Sequence, residues 1–314
     1  MLARTADHLY WMSRFIERAE CLARMLDAHY RHSLLPHTAD VLARDWRATL
    51  ASLGVLDLYL ARHGTLQPDT AFDFLAFDRE HAGSIVSCWR SARENARAVR
   101  GTITSEMWET LNSTWLEIRQ YESDHADHDS GDFLEWVRYR AHLSRGVTLG
   151  TMLRDEAFRF TRIGTFIEGA DATARMLLAR AHGSPGPSDD AAGPDAYGWT
   201  LLLRSLSAFE VYRKVYRDAV TPRRVTELLV LRDDLPRSLG RCTSEIYQNL
   251  REVANDQSAE TERRAGSLYS EFHFGRLEQL LAPGLQSFLY GFLAQVHDLG
   301  DRIAQDFLVP PVLI

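Results

Sequence analysis

Apolar residues recur at intervals of three and four along almost the whole chain, and no run alternates with period two. The pattern therefore predicts helices and no sheet. The clearest case is Phe15 to Ala28. On a wheel of about 100° per residue, Phe15, Ala19, Leu22, Ala23 and Leu26 gather on one side as a core stripe. Ser13, Glu17, Glu20, Cys21, Arg24 and Ala28 gather on the other. Small residues set between charges predict a close helix contact there rather than open solvent, and so a helix buried on two faces.

That segment occurs twice. It returns 151 positions later as Phe166 to Ala179, with nine of fourteen pairs identical and Glu20 answered by Asp171. Trp46, Leu50, Ser52, Leu53 and Tyr59 return 153 positions on as Trp199, Leu203, Ser205, Leu206 and Tyr212, which predicts a second amphipathic helix in each half. Phe72 to Cys88 then answers Val225 to Cys242 with a slip of one residue. The expected fold is all-α: two tandem homologous helical repeats, residues 1–130 and 131–314, packed as one pseudo-twofold bundle. Asp234-Leu235-Pro236 reads as a helix start. Residues 182–198, rich in Gly, Pro, Ser and Asp, read as a mobile loop inside the second repeat. Residues 122–132 read as an acidic turn near the junction, and 307–314 as an apolar tail docked on its own helices.

Composition narrows the function classes. A 314-residue chain with 45% hydrophobic residues has ample material for a core. A formal charge of −7 argues against nucleic acid, whose phosphates demand a basic face. Cys21, Cys88 and Cys242 fall in no metal-ligand spacing, which fits buried thiols in a reducing cytoplasm. The first residues lack the basic and apolar regions of a signal peptide, and no apolar run approaches the roughly 18 residues of a membrane helix. A soluble cytoplasmic protein is expected, with no membrane partner.

The repeated charges carry the candidate chemistry. Glu20 and Arg24, like Asp171 and Arg175, stand at i,i+4 in the orientation that favours an ion pair within a helix. Glu17 and Glu168 have no such repeated partner, because Arg14 and Arg18 give way to Thr165 and Gly169. Facing one another across a pseudo-twofold axis, these two glutamates would share a cavity. Desolvation there would raise a carboxyl pKa and make it a general acid or base. The same charges serve equally as a buried network that locks the halves in register. A third reading is a carboxylate-bridged metal pair. Di-iron bundles, however, supply two Glu-x-x-His motifs, and only Glu122-Ser123-Asp124-His125 has that spacing, inside a predicted loop. The string from Asp124 to Asp129 lacks the EF-hand spacing. P-loop, dinucleotide-binding, nucleophile-elbow and zinc-protease signatures are absent from the sequence. Ala172 answers Cys21, which speaks against a nucleophilic thiol, and His8, His29 and His273 read as packing residues. The sequence assigns no metal and no cofactor.

The opening, Met1-Leu2-Ala3-Arg4-Thr5-Ala6-Asp7-His8-Leu9-Tyr10-Trp11-Met12-Ser13-Arg14-Phe15-Ile16-Glu17-Arg18-Ala19-Glu20, resembles that of the bacterial alpha-E domain family. So do Phe160 to Arg175 and Ser205 to Arg213, and the likeness covers essentially the whole chain. The resemblance implies an all-helical fold that keeps company with circularly permuted ATP-grasp ligase-like proteins, and often with transglutaminase-like proteins. By that company it implies a part in forming, modifying or cleaving amide bonds on a peptide or amino-acid substrate. The family motif carries over at Glu17, Glu20 and Arg24, and at Glu168, Asp171 and Arg175; His8 stands where asparagine is more usual. On this implication Glu17 and Glu168 act as acid/base or ligand-orienting groups. Arg24 and Arg175 then hold the neighbouring carboxylates or a substrate carboxylate, and any ATP chemistry belongs to the partner. The competing implication is an adaptor that docks the ATP-grasp partner, its charged cluster purely architectural.

Overall fold

The structure is a computed structural model, and it describes residues 1–34, 39–123, 129–181 and 196–309. These form fifteen α-helices with no strand among the described residues. Most of the 182–198 loop, the 310–314 part of the tail and residues 124–128, which include His125, lie outside them.

The first seven helices are α1 (Ala3–Ser33), α2 (Ala39–Ser52), α3 (Leu56–His63), α4 (Pro68–Ala76), α5 (Ile85–Ala98), α6 (Ser105–Ser123) and α7 (Ser130–Thr151). The rest are α8 (Glu156–Ala181), α9 (Ala196–Ser205), α10 (Phe209–Tyr216), α11 (Pro222–Leu231), α12 (Leu239–Glu252), α13 (Ala259–Phe274), the single turn α14 (Leu277–Leu280) and α15 (Leu285–Phe307). Helix order in the second series parallels the first, with α15 standing where α7 does. Contacts run in parallel too. α1 packs on α5 and α7 as α8 packs on α12 and α15, while α2 leans on α8 and α9 leans on α1.

The two long helices, of 31 and 26 residues, are the axis of the molecule and pack on each other. Both are buried on more than one side, as the interleaving of small and charged residues predicts. In α1 the apolar stripe of Ala19, Leu22, Ala23 and Leu26 is buried, and so are Ser13, Glu17, Glu20, Cys21 and Arg24 opposite it. The crossing is tight because of Gly164. A Cβ there would collide with the Ser13 hydroxyl and with the backbone carbonyl of Tyr10. Ser13 is the position that answers Gly164 across the repeat.

Smaller repeated devices hold the outer helices. The Tyr59 hydroxyl accepts from the Gln67 N–H at 3.2 Å, and the Tyr212 hydroxyl accepts from the Thr221 N–H at 3.1 Å. Each tyrosine so fastens the chain leading into the next helix. Ser84 and Ser238 cap α5 and α12, their hydroxyls accepting from the N–H groups of Ser87 and Arg241 at 3.2 and 3.0 Å. The helix start expected at Asp234-Leu235-Pro236 is thus displaced to Ser238. Asp234 pairs instead with the Arg232 guanidinium, at 2.5 and 2.9 Å, in the turn before the helix, and the Ser238 hydroxyl makes the capping bond. His8 bonds Asn95 at 2.8 Å, His29 stacks on Trp46, and His273 stacks on Tyr269, so all three are packing residues.

Candidate functional site

All six repeated charges meet along the α1–α8 contact and its margins. Arg24 donates from Nε and Nη2 to Glu20 Oε1 at 2.9 and 2.7 Å, with both side chains fully buried. Arg175 holds Asp171 the same way, from Nε at 2.6 Å and Nη2 at 3.2 Å. Both in-helix pairs are therefore formed as their spacing predicts.

What these arginines do next lies beyond the reach of local spacing. Arg24 Nη1 donates to the carbonyl of Ser205 at 3.0 Å and to the Ser207 hydroxyl at 2.8 Å, at the end of α9. Arg175 Nη1 donates to the carbonyl of Ser52 at 2.6 Å, at the end of α2. The last carbonyls of a helix have no partner within it, and a cation is favoured there. Each repeat therefore caps a helix of the other. The turn beyond requires positive φ in both places, with Gly54 at 73° and Ser207 at 53°. A serine in that region is strained; here its hydroxyl gains the bond from Arg24. A histidine completes each set. His142 Nε2 lies 3.3 Å from Arg24 Nη2, and His297 Nε2 lies 3.4 Å from Arg175 Nη2 and 2.7 Å from Asp171 Oδ1.

Glu17 and Glu168 are both buried, at 4% exposure, but neither is uncommitted as expected. Arg14 and Arg18 lie on the same helix as Glu17, yet they reach across to Glu168. Arg14 Nε donates at 2.8 Å, and Arg18 donates through Nε at 2.5 Å and Nη2 at 2.9 Å. Position 169, the counterpart of Arg18, is glycine, so Glu17 lacks the matching partner from α8. A Cβ at Gly169 would lie 3.9 Å from Glu17 Oε1 and 3.6 Å from Cys242 Sγ. Arg237, from the turn before α12, supplies the missing cation: Nη1 donates to Glu17 Oε1 at 2.5 Å and Nη2 to Glu20 Oε1 at 2.6 Å. Arg145 of α7 adds a fork to Glu17 Oε2 at 2.8 Å and Glu20 Oε2 at 2.5 Å.

The expected sharing of one cavity by the two glutamates is not met. A cavity of about 30 Å³, room for roughly one or two waters, is lined by Glu17, Arg145, Arg162 and five hydroxyl residues, but not by Glu168. Nor is Glu168 poised as a neutral acid. Burial pushes the Glu168 carboxyl up, but Arg18 and Arg14 outweigh it and hold it below its ordinary value. Glu20 is lowered too, as Arg237, Arg145 and Arg24 overcome its burial. Asp171 falls to about 2, its burial outweighed by its bonds to His297 and Arg175. Burial and the Glu17 carboxylate push the Cys21 thiol well up, and burial lifts Cys88 and Cys242 to about 12, so none is a ready nucleophile.

Among the described residues no three of His, Cys, Asp and Glu are grouped to hold a metal ion, and guanidiniums already occupy the four acids. The carboxylate-bridged metal reading finds no donor set there. No helix of the structure is long and apolar enough to cross a membrane, among the described residues. Arg145, Arg237, His142 and His297 escaped sequence reasoning. Only the two histidines left a trace, 155 positions apart on helices that answer one another.

The Alpha-E family model, described as a predicted alpha-helical domain with a conserved ER motif, matches residues 1–308. A Mycobacterium bovis protein, known only as an uncharacterized protein, is 25% identical over 98% of this chain. A Mycobacterium tuberculosis protein of like description, from strain H37Rv, is 24% identical over the same share. The chain spans 37% of the length of these relatives. No solved structure matches it.

Proposed function

The chain belongs to the Alpha-E family, and from that premise we propose that it is a non-catalytic helical adaptor. On this reading it docks an ATP-grasp ligase-like partner, alone or with a transglutaminase-like protein, in a system that forms or modifies amide bonds on a peptide or amino-acid substrate. One observation carries it. All four repeated acids are paired with arginines, and two of those arginines close helix ends of the opposite half. A general acid or base needs a pKa near the working pH, and the groups around Glu20, Glu168 and Asp171 pull the other way. The relatives' architecture supports the same reading, because there this unit makes up 37% of a longer chain and so sits beside further polypeptide.

Catalysis at Glu17 is the second reading, favoured by the cavity at its side. One comparison separates the two. Purified wild type and the Glu17→Gln variant are each combined with the ATP-grasp partner, and partner affinity and amide product are measured together. An adaptor keeps both within about twofold as long as the variant stays folded. A loss of turnover of about 10²–10⁴-fold, with fold and affinity intact, would place the chemistry at Glu17. Failure of wild type to bind the partner would remove the adaptor reading.

A further inference from the structure

The two clusters share a composition that their sequences do not share. In the first, Glu17 and Glu20 face Arg24, Arg145 and Arg237, with His142 at the edge. In the second, Glu168 and Asp171 face Arg14, Arg18 and Arg175, with His297 at the edge. Only Arg24 and Arg175 answer one another by position. Arg145 stands where α15 has Gly300, and Arg14 and Arg18 stand where α8 has Thr165 and Gly169. Two carboxylates, three guanidiniums and one imidazole have been assembled twice, with two of the three guanidiniums drawn from unrelated positions in each.

Each set carries one positive charge too many. Among the described residues no other carboxylate forms an ion pair with these six arginines. A lock needs no surplus, and an uncompensated charge at a buried site is costly. The surplus also has an outlet. One guanidinium in each set is 30% exposed, Arg145 in the first and Arg18 in the second, while the histidines are 49% and 52% exposed. In the first cluster the outlet is continuous, since Arg145 Nη1 lies 3.2 Å from His142 Nδ1.

We propose that each cluster binds one small carboxylate anion, at Arg145 and His142 in the first and at Arg18 in the second. A single charge matches a single carboxylate better than a phosphate, and the donors left for it are Nη1 of Arg145, beside His142, and Nη1 of Arg18, since the other donating nitrogens of these side chains already serve Glu17, Glu20 and Glu168. This does not rest on the adaptor reading, since acetate binding can hold where partner capture fails. A module that collects carboxylates would nonetheless suit a system acting on amide bonds.

The test uses the full chain, dialysed free of carboxylate buffers and titrated with ¹³C-acetate at constant ionic strength set by sodium chloride. Bound acetate is counted by NMR or calorimetry. Two saturable acetates per chain are expected, falling to one in Arg145→Ala and to one in Arg18→Ala. In those variants Glu17 keeps Arg237, Glu20 keeps Arg24 and Arg237, and Glu168 keeps Arg14. If either alanine variant fails to fold, Arg145→Lys and Arg18→Lys keep the charge and lose the outward-facing Nη1 group, and each should weaken one site at least tenfold. Fewer than two saturable sites in the wild type, full competition by equimolar chloride, tighter binding of phosphate than of acetate, or a count of two surviving in both variants would overturn the proposal.

Discussion

Glu20 shows why counting partners predicts more than naming a pair. Its carboxylate is fully buried and shared by Arg24, Arg145 and Arg237. Glu20→Gln would leave three guanidiniums to Glu17 alone. It should cost about 3–5 kcal/mol, the usual consequence of breaking a buried pair from one side. Arg145→Met removes a cation that is 30% exposed but leaves the buried Oε2 atoms of Glu17 and Glu20 without this donor, and should cost less, about 1–3 kcal/mol. Urea denaturation of both variants checks the ranking. The pH response follows from the same groups. Asp171 has a folded-state pKa of about 2 against an ordinary 3.8, and Glu20 and Glu168 lie below their ordinary 4.5. A depressed carboxyl pKa stabilises the fold above its unfolded value, and the contribution is lost as pH falls through the folded value. The stability held by these carboxylates should therefore be intact above about pH 4.5 and decline toward pH 2. His29 adds an earlier leg, because burial lowers it to about 4 from 6.5. The unfolded chain takes up that proton first, so stability should begin to fall below about pH 6.5. Thermal melts from pH 8 to pH 2 should show both legs, and His29→Gln should shrink only the upper one, to which His81 and His142, also lowered by burial, contribute.

At the scale of helices, glycines separate contact from exposure. Gly164 sits where α1 and α8 touch, and a Cβ would meet the Ser13 hydroxyl and, equally near, the Tyr10 backbone carbonyl, which cannot turn aside. Gly164→Ala should therefore destabilise by about 1–3 kcal/mol, although alanine is the better helix former. Gly146 and Gly150 of α7 have nothing within 4 Å of a Cβ, so alanine at either should stabilise by about 0.5–1 kcal/mol. Opposite signs in chemical denaturation are the expected outcome. The helices themselves were legible from their apolar spacing, and the Glu20–Arg24 and Asp171–Arg175 pairs from i,i+4 geometry. The partners of Glu17 and Glu168 were not. Spacing reports neighbours on one helix, while Arg237 comes from a turn and Arg14 and Arg18 cross to another helix. The start of α12 falls at Ser238 rather than Asp234 because a sequence offers several candidate caps and only the fold selects which one meets the first free amides.

Across the whole molecule, positions meet their own counterparts or trade contacts with them. Ser13 meets Gly164, Arg24 holds the end of α9, and Arg175 holds the end of α2. Such reciprocity is what an approximate twofold relation between two repeats produces, and we infer that relation here. On this account the repeated glutamate–arginine motif is a mutual clasp, each arginine guarding a helix end in the other half. Amide hydrogen exchange tests it most directly. Arg24→Met should deprotect the amides around 206–208, beyond α9, and leave those around 53–55 as in wild type; Arg175→Met should do the reverse. Loss of protection confined to each arginine's own half, or none at either helix end, would contradict the clasp.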